Sequence, residues 1–261
     1  ILTELSFESN LQHLFGKIYE KRNINIVLLG AGPAPELSGV LNFLRHKVQI
    51  DSSHLSRSNT SLNVTCLDLN NSQWASVRAI AINAINSEYL SARIPGVQQI
   101  DFDLTESADY NSDVKRCVAE ADIVISQNLL NEIDEKDLLP SAKTLQALYA
   151  AMKPGAITIA AEIKKRKPFS NDSYYYDKSI RVMRGVFSNI CASPEDFFVT
   201  SKNIIDSVVD RETIDKLYAG APYSLVKTLL PKWTSEAENA AVPWRKTMLP
   251  FCYYYAVRQG Y

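Results

Sequence analysis

The chain has 261 residues, with 28 Lys and Arg against 29 Asp and Glu and a formal net charge of −1. That length suits one large α/β domain with a sizeable core, and the near-zero charge excludes a chain dominated by a basic field while leaving room for a local basic patch. No apolar stretch approaches the roughly 20 residues that a membrane-spanning helix needs.

Residues 1–20 place Leu2, Leu5, Leu11, Leu14, Phe15 and Ile18 at helical spacing, so 1–22 reads as a helical segment leading into a main domain over 23–261. A strand over Asn25–Leu29 runs into Gly30-Ala31-Gly32-Pro33-Ala34-Pro35-Glu36-Leu37. A helix is expected from about Pro35 to about Lys47, since proline suits a first helical turn, where its missing N–H costs nothing. The polar text from Gln49 to Asn63 reads as a long loop. The second strand, Asn63–Leu69, carries Asp68 near its end, and a helix over 72–86 is expected to turn Trp74, Val77, Ile80 and Ala81 to one face. After the Pro95-Gly96 turn, a third strand, Val97–Phe102, ends at Asp103. A polar helix covers 112–120. The fourth strand, Asp122–Ser126, ends in Gln127-Asn128. A helix from about Lys136 to Met152 stops at Lys153-Pro154-Gly155, and the fifth strand is Ala156–Ala161. Nearly continuous apolar strands alternating with helices predict a doubly wound α/β fold on a mostly parallel sheet covered on both faces.

Beyond the fifth strand the texture changes. Lys164-Lys165-Arg166-Lys167 is a basic run, and Tyr174, Tyr175 and Tyr176 open a helix running to Cys191. A short strand is expected at Phe197–Thr200. Residues 202–249 read as mixed helix and loop, broken by Pro222, Pro231 and Pro243 and holding Trp233, Trp244 and Arg245, where an acceptor-side insertion would fall. Phe251–Val257 reads as a closing strand. Cys66, Cys117, Cys191 and Cys252 form no Cys-x-x-Cys pair and have only His13, His46 and His54 to join them, so no metal site is expected. Cys66 and Cys252 lie in apolar runs and read as reduced core thiols, which points to an intracellular protein. The first residue is Ile1, so a missing leader says nothing about destination.

The chemistry concentrates after the first strand. An apolar run ending in Gly-x-Gly before a helix is a nucleotide-binding loop, with Gly30 and Gly32 allowing the backbone to turn sharply and approach a ligand. A second strand ending in an acid adds a carboxylate for ribose hydroxyls. Pro33 and Pro35 carry no N–H, so this loop has fewer donors for a pyrophosphate. A ligand with ribose and adenine but no phosphate fits better, and S-adenosylmethionine is the obvious candidate. The plainer accounts stand beside these: a simple strand-to-helix turn at Gly30–Gly32, helix capping by Glu36, and capping of the next helix by Asp68 with Asn70 and Asn71.

The Gly30–Gly32 loop, Asp68, Asp103, the strand over 122–128 and the Lys-Pro-Gly turn before the fifth strand together resemble the class I S-adenosylmethionine-dependent methyltransferases, over roughly residues 23–163 plus the closing strands. The resemblance implies a seven-stranded sheet with an antiparallel last strand. It implies a cofactor site of Gly30, Ala31, Gly32, Glu36, Asp68, Leu69, Phe102, Asp103, Leu104, Gln127 and Asn128. There Asp103 would accept from the adenine amino group, with Phe102 or Leu104 against the ring. Asn128, Asn131 and Glu132 would face the acceptor, with Glu132 the nearest base, unless Asn131-Glu132-Ile133-Asp134 only starts a helix. The loop and Asn128-Leu129-Leu130-Asn131-Glu132 are distantly similar to fungal rRNA uridine-N3 methyltransferases. That likeness, with the basic run and the tyrosines as a phosphate track and a stacking platform, favours RNA as acceptor; a protein or small-molecule acceptor stays open, and a solvated loop is the plainer account of the basic run. The chain departs from the family pattern at Leu28, where an acid is usual, and at Ala34, in the place of the third loop glycine. Two other readings stay open: a methyltransferase-like scaffold without catalysis, and a nicotinamide-dependent oxidoreductase. The loop prolines and the missing third glycine argue against the oxidoreductase.

Overall fold

A computed structural model describes residues 17–18, 20–37, 39–40, 60–88, 92–106, 112–163, 173–190, 192, 197–198, 204–209 and 249–258. Seven strands of five residues or more form one sheet: β1 (Asn23–Leu29), β2 (Thr60–Asp68), β3 (Val97–Asp101), β4 (Ile123–Gln127), β5 (Ile157–Ile163), β6 (Ile204–Val209) and β7 (Leu249–Arg258). Their order is β3-β2-β1-β4-β5-β7-β6. The five strands from β3 to β5 are parallel, and β7 runs antiparallel to both β5 and β6. Two-residue strands, Ala92–Arg93 and Phe197–Phe198, add to β2 and β7. This is the doubly wound sheet with an antiparallel last strand that the sequence predicts.

The central strands are largely buried, and β1, β4 and β5 are mainly apolar, because both faces are covered. Along β1, Ile24, Ile26 and Leu28 enter one core cluster while Val27 and Leu29 enter the other, which is the two-residue alternation of a strand. Helix α1 (Asn71–Glu88) packs on the first face through Ile85. Helices α2 (Ser112–Glu120), α3 (Leu138–Ala150) and α4 (Ser173–Ile190) cover the second. In α2 the buried pair is Val114 and Val118, one turn apart. In α4 it is the stripe Ile180, Met183, Val186, Phe187 and Ile190. Phe187 bridges Tyr149 of α3 and Tyr254 of β7, with ring centroids 5.6 and 5.4 Å apart, a geometry that adds to plain burial.

Three expectations need correction. Ile204–Val209 is a strand paired with β7, not helix and loop. Its polar centre, Asp206-Ser207, hides an edge strand whose ladder partner supplies the order. The strand after the polar loop begins at Thr60, three residues early, because Ser61 and Leu62 pair with Asn23 and Ile24. The inward face of α1 is Asn71, Arg78, Ala81 and Ile85, with Ile80 exposed. A buried arginine takes the place the apolar pattern assigned to Ile80. The N-terminal helix, the polar loop through residue 59, the basic run and residues 210–248 lie outside the described residues apart from Lys17–Ile18. Among the described residues no helix is long and apolar enough to cross a membrane, and no cluster of three metal-ligating side chains occurs.

Candidate functional site

The chain leaves β1 to one side, towards β2, and later returns to its other side as β4. In an open parallel sheet the crevice at such a reversal, at the carboxyl ends of the strands, is where ligands bind. Here it lies between the Gly30–Gly32 turn and the segment after β4. The two approach closely: a Cβ on Gly30 would stand 2.5 Å from Leu129 Cδ1. Gly30 and Gly32 both hold positive φ, +62° and +44°. So does Ala34, at +60° and buried, which means the third position of the loop keeps a glycine-like conformation with a methyl group on it. The backbone is helical at 36–37 and 39–40.

Asp68 closes β2 and is tied into the turn. Its Oδ2 accepts the Gly32 N–H at 2.8 Å, and its Oδ1 accepts the Asn70 N–H at 2.9 Å. The capping expectation therefore finds its backbone partner in Asn70, and the same side chain also holds the glycine turn. A carboxylate offers about four lone-pair sites, and two are used by the backbone. Leu69 next to it is 60% exposed. β3 arrives beside Asp68 through a Phe102 N–H bond to its carbonyl at 3.1 Å. Phe102 and Leu104 belong to the core with Val27, Leu29 and Leu67. Half-buried Asp103 turns its Oδ1 back onto Thr105, accepting from N–H and hydroxyl at 2.8 and 2.7 Å. Ala31 is buried in the opposite cluster.

On the other side of the crevice, Gln127 is exposed at the end of β4, and Asn128 sits at φ +56°, a conformation asparagine tolerates better than most. The following turn, Leu130–Glu132, is a 3-10 helix. Glu132 is exposed, and Asn131 Oδ1 accepts from the Ser179 hydroxyl at 2.9 Å. A second 3-10 turn, Glu135–Asp137, leads into α3.

Two side chains at this edge were not singled out from the sequence. Arg78 is 1% exposed. Its Nε donates to the Gly32 carbonyl at 2.6 Å, Nη1 donates to Asn71 Oδ1 and reaches Gln99 at 3.5 Å, and Nη2 stands 3.7 Å from Asp68. Asn71 in turn donates to the carbonyls of Asp68 and Ile100. One arginine thus joins the glycine turn to β2, β3 and α1. Glu162, near the end of β5, is fully buried, and its Oε1 accepts the Leu130 N–H at 3.0 Å. The available signals were Arg78 four residues after Trp74 on a buried helix face, and Glu162 in register with Thr158 and Ala160. Glu36 also places a buried carboxyl oxygen, Oε2, at this edge. Burial pushes this group up to about 7, against its own backbone N–H and the Arg78 guanidinium.

No protein-family model matches the chain, and neither does any curated protein. Solved structures do. A SAM-dependent methyltransferase from Methanosarcina mazei aligns with a TM-score of 0.49 at 9% identity, covering 94% of this chain and 96% of that one. One from Thiobacillus denitrificans, solved with S-adenosylhomocysteine, gives 0.40 at 14%, covering 99% and 97%. Phosphoethanolamine N-methyltransferase 2 from Haemonchus contortus, solved with phosphomonomethylethanolamine and S-adenosylhomocysteine, gives 0.42 at 13%. That alignment covers 97% of this chain, which spans about half, 53%, of the nematode enzyme. Likenesses this weak transfer no activity.

Proposed function

We propose that the chain transfers a methyl group from S-adenosylmethionine to an acceptor, with RNA the favoured acceptor. The observation that carries the reading is the crevice between β1 and β4: a turn with three positive-φ residues, held to an acid that closes β2. The loop can approach a ligand closely because two of those residues lack Cβ. The two free lone-pair sites of Asp68 suit a pair of ribose hydroxyls, and Asp103 would take the adenine amino group. Gln127, Asn128 and Glu36 would hold the ends of the methionine moiety. Asn131 and Glu132 stand on the acceptor side, with Glu132 available as base where the acceptor must lose a proton. The cofactor supplies a methyl group already activated on a sulfonium, so the protein's task is mainly alignment. In this reading 23–261 is the methyltransferase domain, 1–22 an N-terminal helical segment, and the acceptor-side insertion falls near 202–249, where 204–209 form β6.

RNA is favoured because Lys164–Lys167 follows directly in sequence on β5, whose carboxyl end borders the crevice, and Tyr174–Tyr176 lie in the first turn of α4. A second reading, a binding scaffold without catalysis, is supported by Asp68 already having a backbone donor on each oxygen. Calorimetric titration with S-adenosylhomocysteine and with NAD separates the readings. Micromolar binding of the first alone supports methyl transfer, and binding of neither supports the scaffold. Transfer of a tritiated methyl group to total RNA, compared with total protein, then tests the acceptor. Labelling of protein alone would refute RNA.

A further inference from the structure

Glu162 occupies the next-to-last position of β5, on the face covered by α3 and α4. Among the contacts that hold the adjoining turn Asn128–Glu132, three matter here. The Ala161 carbonyl accepts the Asn128 N–H at 2.7 Å, Glu162 Oε1 accepts the Leu130 N–H at 3.0 Å, and Ser179 holds Asn131. Two of the three come from consecutive residues of β5. The turn needs such support, because it is entered through a left-handed Asn128. Glu162 Oε2 is buried with no hydrogen-bond partner. A glutamine would serve the Leu130 N–H equally well, so a carboxyl is more than a passive brace requires.

We propose that Glu162 is a positioning residue for the acceptor side of the crevice, whose carboxyl clamps the Asn128–Glu132 turn and whose proton sets how firmly the turn is held. The clamp stands on geometry alone; only the purpose of the turn rests on the methyl-transfer reading. Burial pushes the carboxyl from 4.5 up to about 7, the N–H groups of Leu130 and Asn131 pull it back, and Glu132 pushes it further up. The surrounding groups are Glu132 in the turn and the Tyr149 hydroxyl of α3, which shares a hydrogen bond with Ser126. Lys178 of α4 is paired with Glu135, and Cys252 is the ladder partner on β7. Because burial dominates, the closed turn favours the protonated carboxyl, and opening the turn to water returns the group towards 4.5. The closed turn is therefore most favoured below about pH 4.5, loses ground as pH rises to about 7, and changes little above that.

Amide hydrogen exchange over 128–133, corrected for the intrinsic rate at each pH, reads this directly. Protection should fall about twentyfold between pH 5.5 and 7.5. Glu162→Gln should make it independent of pH. Ser179→Ala should lower it at every pH while keeping the slope, which separates the charge from the brace if the first variant folds poorly. Flat protection in the unmodified protein, or an unchanged slope in Glu162→Gln, overturns the proposal. Titration of the unmodified protein with S-adenosylhomocysteine tests the underlying reading separately: an intact slope without binding leaves the clamp and removes the methyl transfer.

Discussion

Replacing Arg78 with methionine tests whether the glycine turn is built on a buried cation. The substitution keeps most of the side-chain volume but removes the donors to Gly32 and Asn71 and the charge 3.7 Å from Asp68. A buried hydrogen bond to a charged group contributes about 1.5–3 kcal/mol, and removing one partner of a buried ion pair costs about 3–5 kcal/mol. These terms overlap, since Asp68 keeps its two backbone donors, so a loss of about 3–4 kcal/mol is expected. In a domain this large, each 1 kcal/mol moves the melting midpoint by about 2–4 °C, so the midpoint should drop by roughly 10 °C. Lysine should recover part of it, since one ammonium cannot reach both the turn and Asn71. Arg116→Met is the control, because that side chain is 64% exposed in an exposed pair with Asp113; it should change stability by less than about 0.5 kcal/mol. The Arg78 loss should also persist at high salt, since a buried pair is poorly screened. The assays are urea unfolding and calorimetric titration with S-adenosylhomocysteine, whose affinity should fall at least about tenfold as the turn and Asp68 lose their common anchor. A variant as stable as the parent would refute the network. A destabilised variant with unchanged affinity would show that the network does not position the site.

Other positions test the same frame. Ala34→Gly should stabilise the chain by about 0.5–1 kcal/mol in urea unfolding, since relief of a left-handed alanine, about 1–2 kcal/mol, exceeds the extra entropy of glycine, about 0.5–1 kcal/mol. Gly30→Ala should do the reverse, at positive φ and against Leu129. Burial pushes the Asp122 carboxyl up, but Lys153, Lys21 and the Asn25 N–H outweigh it and hold it below its ordinary range. Its stabilisation is therefore present above about pH 4 and lost as pH falls through the lowered value, so Asp122→Asn should destabilise at pH 7 by about 1–3 kcal/mol, and the difference from the parent should shrink as pH falls below about 4. Burial pushes Glu36 up to about 7; with Glu36 facing the ammonium of S-adenosylhomocysteine, calorimetric affinity should rise several-fold from pH 6 to 8 in the parent and stay flat in Glu36→Gln.

The sheet was legible because parallel strands buried on both faces read as mainly apolar runs, and β1, β4 and β5 do, while β2 mixes apolar with polar residues. The glycine turn was legible because two glycines after an apolar strand allow the positive φ that both adopt, and Asp68 because an acid closes the next apolar run. What escaped were residues whose local chemistry contradicts their place. Arginine on a helix reads as solvated, so the inward face of α1 was assigned to Ile80. Glutamate after Ala160-Ala161 reads as a strand end, so β5 was cut short of Glu162. Alanine does not announce a left-handed turn. These exceptions share a location. At the amino edge of the sheet, the buried charge of Asp122 is fully met, by Lys21 at 2.5 Å, Lys153 at 2.7 Å and the Asn25 N–H at 2.9 Å. At the carboxyl edge the charges are buried and left partly unmet. Among the described residues four buried side-chain polar atoms lack a hydrogen-bond partner, and three of them, Glu36 Oε2, Arg78 Nη2 and Glu162 Oε2, border the crevice. An orphaned buried polar atom costs about 1–3 kcal/mol, and a sheet built only for stability would pair both edges alike. The asymmetry supports a carboxyl edge shaped for a polar ligand, and the substitutions above test that edge residue by residue.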